Sequence, residues 1–246
     1  MGFAFIAACF AAQFFALKHY IKIMYPKLGW NTLASKALCS ALFVLTAFAA
    51  GAVSGGGFVF NTMTAAFVCA FFGDVFLHMY PKLGSVFVNY ALGGLSFLAG
   101  HVLLVISFFR LCDSYNPDLP ALSAAEIAAA IILCAAVNIA LRLFGLKLGK
   151  FTAPVIIYSL ALMLMVVKAF YACTLMLGAS SDFGFFKLAA VLCLGLGAVL
   201  FAASDIVLAT DFFSGGKDIK KKTANMILYY SGQMLLASSL MWINYK

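Results

Sequence analysis

Hydrophobic runs of about twenty residues recur along this chain, separated by short polar breaks, and that spacing leaves one class of fold. A helix needs about 20 apolar residues to cross a bilayer's hydrocarbon core. Runs of that length cover approximately residues 2–21, 34–52, 57–79, 86–110, 124–144, 152–177, 185–209 and 224–243. The expectation is all-α: a single domain forming an integral membrane bundle of eight transmembrane helices. Only 10% of the 246 residues are charged and 65% are hydrophobic, too little charge to coat a soluble protein of this size. The first run, from Gly2 to Leu17, has no basic leader and no small-residue cleavage site. It therefore reads as the first span rather than as a cleavable signal.

The breaks have identifiable chemistry. Ser54-Gly55-Gly56-Gly57 predicts a tight turn, and Asn116-Pro117-Asp118-Leu119-Pro120 a stop to the fourth helix. Ser123 with Glu126 predicts a capping box for the fifth helix, and Thr152 before Pro154 opens the sixth. A hexapeptide occurs twice, Met24-Tyr25-Pro26-Lys27-Leu28-Gly29 and Met79-Tyr80-Pro81-Lys82-Leu83-Gly84. It reads as an interfacial anchor followed by a Pro-x-x-Gly turn.

Charge sets the expected orientation. Lys18, Lys22, Lys27, Lys36, Lys82, Arg142, Lys147, Lys150, Lys217, Lys220, Lys221 and Lys222 all fall at the breaks after spans one, three, five and seven; they are 12 of the 16 basic residues. Arg110, Lys187 and Lys246 lie at the other side, and Lys168 within a span, from which it is expected to snorkel to the outer face. The positive-inside rule puts the odd breaks in the cytoplasm and both termini on the non-cytoplasmic side. The net charge of +8 is thus topology rather than a stripe for nucleic acid. The seven cysteines are scattered without a Cys-x-x-Cys pair, so neither a disulfide frame nor a zinc site is indicated.

Six of the eight acidic residues sit at run ends or in polar breaks, but Asp74 and Asp205 lie deep inside apolar runs. A carboxylate at the centre of a bilayer helix costs about 2.5–3.5 kcal/mol on insertion scales, and such residues usually have a task. The orientation puts both near the inner ends of spans three and seven. Lys36 at the opening of span two, Tyr158 in span six, and Tyr229 and Tyr230 in span eight fall at similar depth, with His101 and Gln233 nearer the midplane. At 1.5 Å rise per residue these groups share one slab, as in a cavity open to the inner leaflet. His101 follows Asp74 by 27 residues and Gln233 follows Asp205 by 28, which fits a duplication of four spans. His78, one turn after Asp74, could join His101 and Asp205 around a metal, but no third His or Cys completes a usual zinc set. No G-x-S-x-G elbow, Walker loop or G-x-G-x-x-G occurs.

At these residues the chain resembles the lysoplasmalogenase (YhhN-like) family of eight-span membrane proteins. The match runs through Phe72-Gly73-Asp74-Val75-Phe76-Leu77, Phe97-Leu98-Ala99-Gly100-His101, Tyr158 and Met165. It continues through Phe201-Ala202-Ala203-Ser204-Asp205-Ile206-Val207-Leu208-Ala209-Thr210-Asp211-Phe212 and Tyr229-Tyr230-Ser231-Gly232-Gln233. Lys36 fits the family's Lys-Pro, with Ala37 in place of the proline, and Leu104 stands where the family usually has Tyr. The resemblance implies hydrolysis of the vinyl ether bond of lysoplasmalogens to a fatty aldehyde and glycerophosphoethanolamine or glycerophosphocholine. It implies a lysophospholipid drawn from the bilayer as the partner, in a bacterial inner membrane or, in a eukaryote, the endoplasmic reticulum. Homo-oligomerisation is left open.

The residues suit that chemistry. A vinyl ether is cleaved by protonating its β-carbon and adding water to the resulting oxocarbenium ion, which needs a proton donor and a nearby negative charge, much as in glycosidases. Asp74 and Asp205 can supply both if one keeps its proton, and neither a metal nor an organic cofactor is required. Tyr158, Tyr229, Tyr230, Gln233 and His101 are the expected orienting groups, and Lys36 the expected phosphate ligand at the cytoplasmic mouth. Two other readings use the same residues: a proton-coupled transporter or channel, and a membrane hydrolase of another lipid. The spans lack the Gly/Pro-broken pair near the midplane that many secondary transporters have.

Overall fold

The structure is a computed structural model that describes residues 2–25, 29–79, 86–178, 184–216 and 218–243. These residues form eight α-helices: α1 (Gly2–Ile23), α2 (Trp30–Ser54), α3 (Phe58–Met79), α4 (Val86–Tyr115), α5 (Ala124–Leu143), α6 (Thr152–Gly178), α7 (Phe185–Phe213) and α8 (Ile219–Ile243). A 3₁₀ turn, Gly149–Phe151, leads into α6. All eight helices are long and apolar enough to cross a membrane, and there is no strand among the described residues. The protein is an integral multi-pass membrane protein.

Several helices run further than their apolar runs. α4 continues past Arg110 to Tyr115, because Arg110 pairs with Asp113 one turn on and stacks over Phe58. α7 continues past Ala209 to Phe213 and buries Asp211, whose Oδ1 accepts from the Asp218 amide. α8 begins at Ile219, so Lys220, Lys221 and Lys222 are helical. α2 begins at Trp30, where Thr32 Oγ1 accepts from the Gly29 amide and donates to the Gly29 carbonyl. Lys36 therefore lies well inside a helix rather than at its opening.

The sequence's turn and cap signals appear as expected where they are described. Gly55, Gly56 and Gly57 all have positive φ (83°, 76° and 114°), which only glycine adopts without strain. Ser123 Oγ accepts from the Glu126 amide while Glu126 reaches back to the Ser123 amide, closing the capping box. Residues 26–28 of the first hexapeptide copy and 80–84 of the second lie outside the described residues.

Lys168 departs from its expected snorkel. It is 1% exposed, with Nζ 2.8 Å from Glu126 Oε1 and 2.8 Å from the Ala121 carbonyl, over the rings of Phe109 and Tyr171. A carboxylate and two aromatic faces within reach satisfy the ammonium inside the bundle better than a stretched stem would.

The helices pack as two similar halves. α3 pairs most closely with α4 and α7 with α8, while α2 lies on α8 and α6 on α4. Small residues allow the tight pairs. A Cβ on Gly100 would stand 3.2 Å from the Ala66 carbonyl, and one on Gly232 only 3.0 Å from the Gly197 carbonyl. Ala66 precedes Asp74 by eight residues and Gly197 precedes Asp205 by eight. The two acid-bearing helices are thus gripped alike by their neighbours, as a four-plus-four repeat requires. α8 is the most enclosed helix and buries Asn225, Tyr229, Tyr230 and Gln233.

Candidate active site

Each aspartate is held by the helix before it and by a helix of the other half. Asp74 on α3 has Lys36 Nζ 3.0 Å from its Oδ1. Its Oδ2 accepts from Ser40 Oγ at 2.6 Å and from Tyr229 OH at 2.8 Å. Lys36 and Ser40 come from adjacent turns of α2, and Tyr229 from α8. Asp205 on α7 accepts from Tyr158 OH of α6 at 2.7 Å, and His101 Nε2 of α4 lies 3.2 Å from the same Oδ2. The arrangement is the same in both halves, but the partners differ: an ammonium and two hydroxyls for Asp74, a phenol and an imidazole for Asp205.

Burial fixes the donors. His101 Nδ1 is buried without a partner. A proton there would leave an N–H wholly desolvated, so the ring's proton belongs on Nε2, facing the carboxylate. The ring is wedged edge-on to Phe201 at 4.8 Å and against Tyr158 at 5.0 Å. Tyr229 packs edge-on to Phe43, Phe97 and Phe201, which sets its hydroxyl over Asp74.

Both carboxylates line one cavity of about 30 Å³, together with Lys36, Leu77, Phe97, Leu208, Asn225, Met226 and Tyr229. That is room for about two waters, far below the roughly 300 Å³ of a small-molecule pocket. A larger groove of about 720 Å³ lies at the ends of α1 and α2, lined by His19, Trp30, Asn31 and Ser35 among others, with no carboxylate in its wall. Both intramembrane aspartates belong to the smaller space.

Not every candidate meets the cavity directly. Tyr230 stands behind Lys36 and Ser40: its OH is 3.2 Å from Ser40 Oγ and donates to the Lys36 carbonyl at 3.3 Å. Gln233 is buried, and neither of its amide atoms has a partner; it joins neither aspartate cluster. His78 lies beside Tyr20, with Nε2 2.7 Å from the hydroxyl, rather than with His101 and Asp205. Lys36 has a wholly different setting from an open mouth, because its side chain is 4% exposed and paired with Asp74.

Two residues of the site escaped the sequence reading. Ser40 lies one turn after Lys36, and Asn225 one turn before Tyr229; that i, i+4 spacing was the only signal. Asn225 donates to the Ser204 carbonyl at 2.7 Å. A carbonyl can only accept, so the amide nitrogen must face it and the amide's orientation is fixed.

Eight spanning helices and a buried pair of carboxylates, each held by polar side chains from both halves, define a membrane protein with an acid-lined intramembrane site. The chain belongs to the YhhN family, the family of lysoplasmalogenase-like proteins, whose sequence model matches residues 30–240. No curated protein and no solved structure matches it.

Proposed function

We propose that the protein is a membrane hydrolase that cleaves the vinyl ether bond of lysoplasmalogens, releasing a fatty aldehyde and glycerophosphoethanolamine or glycerophosphocholine. The observation that carries this reading is one cavity shared by two intramembrane carboxylates with unlike partners. Membership of a lysoplasmalogenase-like family supports it. With the basic ends of the helices in the cytoplasm, substrate enters from the inner leaflet of a bacterial inner membrane or of the endoplasmic reticulum.

The unlike partners divide the work. Asp74, facing an ammonium and two hydroxyl donors, is the fixed negative charge. Asp205, with no lysine beside it, carries the proton. With Lys36 an ammonium and Asp74 ionised, a proton on Asp205 also makes the buried group neutral, the cheapest state in a low-dielectric site. Asp205 transfers its proton to the β-carbon; the C=C electron pair forms the C–H bond and leaves an oxocarbenium ion beside Asp74. Water adds to the carbon bearing the ether oxygen, and the Asp205 carboxylate takes a proton from it. The hemiacetal then breaks its bond to the glycerol oxygen, which takes the proton now on Asp205, while the hemiacetal hydroxyl gives its own proton back to Asp205 and the aldehyde leaves. Tyr158 and His101 orient Asp205, Tyr229 and Ser40 orient Asp74, and Tyr230 braces Lys36 and Ser40.

The test is incubation of the purified protein with a defined lysoplasmalogen and with its saturated ether analogue. Aldehyde from the first and none from the second is the expected result. No aldehyde from the first, with folded protein, would overturn the reading.

A further inference from the structure

Lys36 is occupied by Asp74, which leaves the phosphate of a lysophospholipid without its expected ligand. The α8 helix supplies another. Asn225, Met226 and Tyr229 of α8 all line the cavity, and Lys222 falls three residues before Asn225 and seven before Tyr229. Seven residues are close to two full turns, so Lys222 lies on the same face as Tyr229, about 10 Å nearer the basic end of the bundle. Lys220 lies on the opposite side of α8 from Tyr229, and Lys221 donates to Ser214 at 3.3 Å.

The Lys222 ammonium is half-buried over the Tyr25 ring at 5.2 Å. Among the described residues no carboxylate pairs with it. A cation aligned with the cavity-lining face, paired with no carboxylate among the described residues and backed by an aromatic ring, is a place for an anion. The spacing also fits. Five bonds, about 6 Å extended, separate the sn-1 oxygen of a lysophospholipid from its phosphorus, and the flexible lysine stem spans the rest.

We propose that Lys222 binds the phosphodiester of the substrate, flanked by Tyr25, while the sn-1 linkage lies between Asp74 and Asp205. This rests on the proposed hydrolase reading for the identity of the lipid, and it makes Lys222 the residue that selects phospholipids over neutral glycerol ethers.

The test compares a 1-O-alkyl-glycerophosphoethanolamine, which cannot be cleaved, with the phosphate-free 1-O-alkylglycerol. Binding of each is measured on wild type, Lys222→Gln, Lys222→Arg and Lys220→Gln, with inorganic phosphate as a competitor. Lys222→Gln is expected to lose about tenfold in affinity for the phospholipid and none for the alkylglycerol. Lys222→Arg and Lys220→Gln should stay near wild type. Equal loss for both ligands, or no loss for either, would overturn the assignment, as would displacement by inorganic phosphate alone of the alkylglycerol. Because binding needs no turnover, failure of aldehyde release would count against the hydrolase reading and not against this site.

Discussion

Lys36 Nζ lies 3.0 Å from Asp74 Oδ1, with the two side chains 4% and 3% exposed. Removing one member of such a pair leaves the other charge buried and uncompensated, at a cost of about 3–5 kcal/mol. Lys36→Met should therefore lower the midpoint of thermal unfolding in detergent sharply. Lys36→Met combined with Asp74→Asn should recover much of the loss while remaining inactive. A double variant no more stable than Lys36→Met would show that the pair is not what holds α2 to α3.

The two aspartates should fail differently. Asp205→Asn removes the proposed proton donor but no counter-charge, so aldehyde release should fall by about 10²–10⁴-fold with little change in unfolding. Asp74→Asn should lose activity and stability together, because Lys36 is left unpaired. Vinyl ether cleavage near the wild-type rate in either folded variant would end the acid/base assignment.

Tyr158 and Tyr229 each give one hydroxyl bond to a carboxylate. Tyr158→Phe and Tyr229→Phe should cost about 1 kcal/mol of stability each and lower kcat by about tenfold, with KM nearly unchanged. A change confined to KM would mean that the phenols hold substrate rather than the acids.

Two glycines near the site should respond unequally to alanine. A Cβ on Gly232 would meet the Phe201 backbone nitrogen at 2.7 Å, which cannot swing aside. Gly232→Ala should therefore destabilise by about 1–3 kcal/mol. On Gly73 the nearest atoms belong to the Phe97 ring, which can turn. Gly73→Ala should unfold near the wild-type temperature yet slow aldehyde release, because Phe97 walls the cavity. Equal unfolding midpoints for the two variants would contradict this packing.

Lys168 and Glu126 form another deeply buried ion pair, 2.8 Å apart between α6 and α5. Lys168→Met should cost stability on the scale of Lys36→Met but leave the kcat of the remaining folded protein unchanged. A fall in kcat would tie this pair to the site.

The eight spans were legible because run length alone decides whether a helix can cross. Their ends were less so. α4 and α7 extend past their apolar runs because Arg110, Asp113 and Asp211 find partners within a helical turn or across a cap, and hydropathy does not register partners. The same blindness explains Lys36 and Lys168. Both looked like lysines that reach for water, and both instead reach a carboxylate on another helix. Asp74 and Asp205 were conspicuous because a charge in an apolar run is costly wherever it points. Ser40 and Asn225 were not, because a small polar residue in a helix carries no such cost until its neighbours are known. Gln233 matched His101 by spacing, yet Tyr229 is the α8 residue that crosses to the opposite aspartate.

The chamber between the acids, at about 30 Å³, is smaller than any lipid it would process. For the proposed substrate to enter, Leu77, Leu208 and Met226 would have to move apart around its alkenyl chain, and the surrounding acyl chains would have to make way for the displaced helices. Turnover would then sense the stiffness of its host: fluid, loosely packed bilayers would speed it, and ordered, sterol-like or saturated ones would hold it shut.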